Sequence, residues 1–267
     1  GTVVVWAAGN DSTDVALYSP ENMTNPKPIV VAASNQLDQP TFFTNFGVLV
    51  DVAAPGGGTT NPPPDYRPDK NILSLKASTC HPDMCPSGLI VGANYVRQSG
   101  TSFAAPHAAG VAALVLASHP TFTPDEVRQI LRASADDIHA AGFDEYTGAG
   151  RLNADRALAI QSALNVRISQ PALDAAFYRQ QTSSVEIRGT AEGPNFMHYQ
   201  LFYGLKNRPG QWTPLGSPVS TPVNNGILGT WPIRDLTDDV YFLRLMGTSL
   251  DSFRFEDVIP VSVEGRA

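Results

Sequence analysis

Three runs in the first 56 residues constrain the fold more than anything else in the chain: "TVVVWAAGN" (2–10), "PIVVAAS" (28–34) and "VLVDVAAPG" (48–56). Each is apolar and rich in β-branched residues at both parities. A strand with one wet face alternates apolar and polar; a strand without alternation needs cover on both faces, as in a parallel sheet between packed layers. Helical signals follow. A helix is expected over about 102–118. In "TPDEVRQILRAS", Thr123 is placed as N-cap, Pro124 opens the helix and Glu126 completes a capping box, with Val127, Ile130 and Leu131 at helical spacing. In "GAGRLNADRALAIQSAL" a glycine turn leads to Asn153 as the cap of a third helix. Residues 1–164 therefore read as α/β, a three-layer parallel sheet, with a long loop region over 56–98 that holds one short strand at "NILSL" (71–75).

The pattern changes near residue 165. "SSVEIRGTA", "FMHYQLFYG", "GILGTWPI", "DVYFLRLMG" and "FRFEDVIPVSV" are short runs split by Pro, Gly and Asn, and Tyr241, Leu243 and Leu245 share a face. This periodicity predicts a small all-β sandwich, immunoglobulin- or fibronectin-like, over 165–267, folding as its own unit. Tyr199, Tyr203, Trp212 and Trp231 are read as its core aromatics, with a ligand-stacking surface as the other reading.

A length of 267 residues suits one large domain or two smaller ones, and a 42% hydrophobic content is ample for packed cores. The net charge of −7 and a pI near 5.1 argue against nucleic acid as a partner. The longest uninterrupted apolar stretch, Ala108–Ala117, is the length of a core helix, so no membrane partner is expected. Charged residues make up only 16%, with 22 Gly and 22 Pro, which fits a loop-rich secreted (extracellular) protein. Opening on a core strand predicts further sequence upstream of Gly1. Composition leaves the oligomeric state unset. Cys80 and Cys85, in "STCHPDMCPSG", suit a local disulfide; a metal site with His81 and Asp83 lacks a second ligand pair at zinc spacing, and two free thiols are the third reading.

"SGTSFAAPHAAGVAALVLASHP" (99–120) holds the candidate chemistry. Ser102 follows a small-residue turn and opens a helix, where backbone N–H groups and the positive helix end face charge developing at its hydroxyl. Read blandly, it only caps that helix. His107 is not its base: five helical residues turn through about 500°, which leaves the two side chains roughly 140° apart.

"GTSFAAPHAAGVAALV" resembles the nucleophile motif of the subtilases, G-T-S-x-A-x-P-H, with Gly100, Thr101, Ser102, Ala104, Pro106 and His107 matching. "VVVWAAGND", "FTNFGVLVDVAAPGG" and "YTGAGRLNADRAL" resemble three further segments of that family in order. The resemblance implies a serine endopeptidase in which Ser102 attacks a peptide carbonyl, while Asn10 and the Ser102 N–H hold the oxyanion. It places Thr101 behind that oxyanion hole, Ala7 and Gly9 beside the first specificity pocket, and Ala16 and Leu17 on another wall. Asp11 is read as solvated. No cofactor is implied; structural calcium is common in the family, without a ligand set that transfers here. The Asp235, Asp238 and Asp239 cluster is read as a turn rather than a calcium site. The family's Asp and His precede the A-G-N strand, and none of His81, His107, His119, His139 and His198 lies in a family histidine motif. The base is therefore expected upstream, and this chain by itself is expected to be inactive. The alternative is a non-catalytic binding or scaffold protein of the same shape.

Overall fold

A computed structural model describes residues 1–23, 27–58, 68–83, 85–208 and 210–265. The whole Pro-rich stretch 59–67 in the predicted long loop lies outside these. The first sheet is parallel, ordered β1 (Val5–Ala7), β2 (Ile29–Ser34) and β3 (Val52–Pro55) with β2 central. These strands occupy only part of the three apolar runs. Residues 48–51, for instance, approach β3 through a turn in which Val50 N–H donates to Gly47 O. All six residues of β2 are buried, and its two faces enter different clusters. Ile29, Val31 and Ala33 pack with the helices, whereas Val30 and Ala32 pack with Ala8, Val15, Leu49 and Ala53. Both faces are covered, as the lack of alternation requires. The second face is covered by loops and a short 3-10 turn, Val15–Leu17, instead of helices.

In chain order, β3 is followed by a small antiparallel sheet of β4 (Ile72–Leu75), β5 (Ile90–Val91) and β6 (Tyr95–Gln98), with β6 central. The predicted strand at 71–75 is one of its edges. The loop between β4 and β5 contains the Cys80–Cys85 disulfide, which decides among the three cysteine readings.

Helix α1 (Thr101–Ser118) lies on the parallel sheet, burying Ala104, Ala108, Val111, Ala112 and Val115. Small residues let the helix approach the strands closely. At 18 residues and a mean hydropathy of 1.3 it is long and apolar enough to cross a membrane, which the Ala108–Ala117 stretch taken alone did not suggest. Its buried face is committed to the sheet, so it reads as a core helix. Helix α2 (Pro124–Ser134) has the predicted capping box: Thr123 Oγ1 accepts from Glu126 N–H at 3.2 Å, and Glu126 Oε2 accepts from Thr123 N–H at 2.7 Å. Helix α3 (Ala154–Ala159) is capped by Asn153, whose Oδ1 accepts from Arg156 N–H at 3.0 Å.

The remaining strands are β7 (Asn165–Gln170), β8 (Ala175–Tyr178), β9 (Ser184–Glu192), β10 (Phe196–Leu205), β11 (Thr213–Val219), β12 (Val223–Pro232), β13 (Asp239–Ser249) and β14 (Arg254–Glu264). They form a five-stranded sheet, β11-β10-β13-β14-β8, and a three-stranded sheet, β12-β9-β7. Side chains from both sheets meet in one core around Trp231, Leu243, Leu245 and Ile187. Five of these strands match the quoted sequence runs; β7, β8 and β11 are additional, and β8 pairs parallel with β14. The same core runs on through Leu164 and Ile160 into the helical layer. Phe143 meets Phe242 edge-on at 6.2 Å, and Gln129 Nε2 donates to Val166 O across the boundary.

Candidate active site

Asn10 lies just beyond the C-terminal end of β1, on a loop held from below by Asn45. Asn45 is almost fully buried. Its N–H donates to Gly9 O at 3.0 Å, and its Oδ1 accepts from Asp11 N–H at 2.9 Å and Thr13 N–H at 3.2 Å. Gly9 takes φ +101°, and a Cβ there would lie 2.3 Å from Asn45 Nδ2, so only glycine fits. The sequence reading missed Asn45. Its signal was present in "FTNFG", one of the family-like segments, but no chemistry was attached to it there.

Asn10 and the start of α1 are brought together through Thr101. Thr101 N–H donates to Asn10 Oδ1 at 2.9 Å, and its hydroxyl lies 3.2 Å from the same oxygen while accepting from Gly9 N–H at 3.1 Å. Thr101 is fully buried, whereas Gly9 is partly buried and Asn10 exposed, so the junction is covered on the Thr101 side only. With Oδ1 held by two donors, the Asn10 amide has a defined orientation, and among the described residues Nδ2 has no acceptor. Gly100, at φ +148°, turns the chain into the helix and places Asn10 against its own backbone.

Ser102 is the second helical residue and is exposed. Thr101 N–H is taken by Asn10, and Phe103 N–H by Gly100 O at 3.0 Å. Among the described residues, Ser102 N–H has no acceptor; it is one of the orphan donors of a helix start. Pro106 brings no N–H to the Ser102 carbonyl four residues before it, so polar backbone collects at this end of α1. The helix dipole adds positive potential here. Asn10, through its contact with Thr101, thus sits at the same helix start as the exposed Ser102.

The five histidines make their contacts elsewhere. His107 Nδ1 lies 2.8 Å from Phe103 O, so the ring folds back along its own helix, as the turn angle required. His119 stacks on Phe122 and contacts Gln161; His139 contacts Asp144; His81 contacts Asp83; His198 lies on β10. Ala7 ends β1 and is partly buried. Ala16, in the middle of the 3-10 turn, packs against the core cluster that includes Val15, whereas Leu17 is exposed. Asp238 pairs with Arg179, Asp239 Oδ1 accepts from Val240 N–H, and Asp235 faces a different cavity. Among the described residues, no three His, Cys, Asp or Glu side chains cluster as a metal site would need.

The profile of the subtilase family matches residues 1–150. Proprotein convertase subtilisin/kexin type 9 of Rattus norvegicus is 40% identical over 153 residues, 54% of this chain and 18% of that protein. An extracellular protease of Xanthomonas campestris pv. campestris is 37% identical over 167 residues, 62% of this chain and 24% of that protein. The chain thus spans less than a quarter of the length of either curated relative. A solved protease from Pseudoalteromonas arctica is 34% identical, with a TM-score of 0.47 over 60% of this chain and 42% of that one. Matched by the family's profile over more than half its length, the chain belongs to the subtilase family.

Proposed function

We propose that this chain is the nucleophile-bearing part of a secreted subtilisin-like serine endopeptidase. One observation supports this above the rest: Thr101, the residue before the exposed Ser102, fixes Asn10 Oδ1, and among the described residues neither Asn10 Nδ2 nor Ser102 N–H has an acceptor. In this reading Ser102 Oγ attacks the peptide carbonyl, and the two donors hold the resulting oxyanion. Thr101 belongs to the substrate-binding set and supports the oxyanion hole by positioning Asn10. Ala7 and Gly9 border the first specificity pocket. The general base, and the carboxylate that orients it, come from outside residues 1–267. The substrate is protein or peptide, and residues 165–267 form a β-sandwich module beside residues 1–164.

The test compares this chain with the same chain carrying its upstream sequence, using a fluorophosphonate probe and a chromogenic peptide. The longer protein should label at Ser102 and turn over. Asn10→Ala should lower its turnover by about 10²–10³, the range for one oxyanion donor, which rests in part on subtilisin itself. The present chain should show neither fast labelling nor turnover, since loss of the histidine alone costs subtilisin about 2 × 10⁶. Turnover by the longer protein that survives Ser102→Ala overturns the assignment. Rapid turnover by the present chain shows that a base lies within these residues.

A further inference from the structure

The four aromatics grouped in the sequence divide into two kinds. Trp231 and Tyr199 are core: Trp231 is fully buried, and Tyr199 Oη donates to Leu228 O at 2.9 Å. Tyr203 and Trp212 are only partly buried. Together with Tyr241, Arg208, Gln211 and Asp235 they line a cavity of about 430 Å³ at one end of β10, β11 and β13. That volume lies within the range of small-molecule sites.

The aromatic wall cannot relax into this space. Tyr203 packs on Trp231 at 5.8 Å and on Tyr241 at 6.3 Å, and Trp231 meets Tyr241 edge-on at 5.6 Å. Tyr241 is fixed at its far end, its hydroxyl donating to Thr237 O at 3.1 Å. Trp212 is held by Arg244, which lies 5.1 Å from the ring and is itself anchored to Glu256 at 2.6 Å. The rim is different in kind. Among the described residues, the side chains of Arg208, Gln211 and Asp235 make no hydrogen bond within the protein, and all three are exposed. They supply donors, a carboxylate acceptor and an amide that does both. Arg208 and Asp235 cancel in charge.

We propose that this cleft binds a neutral saccharide, one hexose unit at a time. The C–H face of a pyranose lies against the aromatic wall, attracted by the negative face of the rings. Its hydroxyls, each both donor and acceptor, meet Arg208, Gln211 and Asp235. An anionic ligand is opposed by Asp235 and a cationic one by Arg208. An apolar side chain would desolvate all three polar groups without replacing their hydrogen bonds. This site is separate from Asn10 and Ser102, so its fate is independent of the peptidase reading.

The test is calorimetric titration of the full chain with three uncharged trisaccharides, cellotriose, maltotriose and triacetylchitotriose, with sialyllactose and decaproline as controls. At least one trisaccharide should bind saturably with a Kd of about 0.1–10 mM, in keeping with a shallow site. Asp235→Ala and Gln211→Ala, both at exposed side chains that leave the fold intact by circular dichroism, should each weaken it about tenfold, the effect of one lost hydrogen bond to a charged or amide group. Trp212→Phe should weaken it as well. Absence of saturable binding by all three sugars overturns the proposal, as does binding that these variants leave unchanged. Sialyllactose binding as tightly as the neutral sugars overturns the charge argument, and saturable decaproline binding without sugar binding assigns the cleft to peptide.

Discussion

Replacing Asp51 by asparagine tests the electrostatics at the centre of the molecule. Asp51 is fully buried beneath β3. Its Oδ1 meets Arg128 at 2.6 Å and Arg132 at 3.2 Å, and its Oδ2 accepts from Val30 N–H at 3.0 Å. Arg132 reaches on to Glu256 at 3.7 Å, and Glu256 to Arg244 at 2.6 Å, so a chain of charges runs from the parallel sheet through α2 into β14 and β13. Burial by itself raises the Asp51 carboxyl, but Arg128, Lys27 and Arg132 outweigh it and hold the group below the usual carboxylate range. Asparagine has nearly the same shape and can still accept from Val30. Its NH2 then faces two guanidiniums that carry only donors. Removing one partner of a buried ion pair costs about 3–5 kcal/mol, against a typical total stability of about 5–15 kcal/mol. Urea unfolding followed by circular dichroism should show the midpoint falling at unchanged slope. The sign with pH is fixed: a depressed carboxylate pKa gives stability above the unfolded-state value that is lost as pH falls through the folded-state value. The gap between parent and variant should therefore narrow in acid. A loss under about 1 kcal/mol, the size of a screened surface pair, would refute the reasoning.

Lys27 is pushed down to about 8, mainly by burial and next by Arg128, with Asp51 and Asp257 opposing. Its charged form is thus a penalty in the fold below pH 8, and stability should rise as pH climbs from about 8 towards the unfolded-state value near 10.4. Lys27→Met should raise the melting temperature at pH 7 and abolish that rise; an unchanged pH profile counts against it. Gly9→Ala should destabilise by at least about 2 kcal/mol, from backbone strain at φ +101° and a Cβ 2.3 Å from Asn45 Nδ2; a neutral alanine in thermal melts would show that the Asn45 loop yields. Thr101→Val keeps shape but removes the acceptor of the part-buried Gly9 N–H and the hydroxyl contact to Asn10 Oδ1, for a loss of about 1 kcal/mol; equal melting temperatures would show that water replaces both bonds.

Local patterns in the sequence determined the local structure. The capping box at Thr123 and Glu126 forms as read because both partners lie within one helical turn. The unalternating run at 29–34 became a doubly covered strand because its composition leaves no face that tolerates water. The turn angle of an α-helix sufficed to keep His107 away from Ser102, and the ring bonds to Phe103 O instead. What tertiary structure alone decided are meetings of residues far apart in the chain. Asn45 supports the Asn10 loop from 32 to 34 positions away, Asp51 and Arg132 are separated by 81, and Arg132 and the Glu256 backbone by 124. Hydrophobic periodicity says which face of an element turns inward, not which other element it meets there. The same limit explains why Trp231 and Trp212 looked alike as letters. One lies in the core between the two sheets and the other in the wall of a cleft, a difference set by how the strands pack and not by any residue beside them.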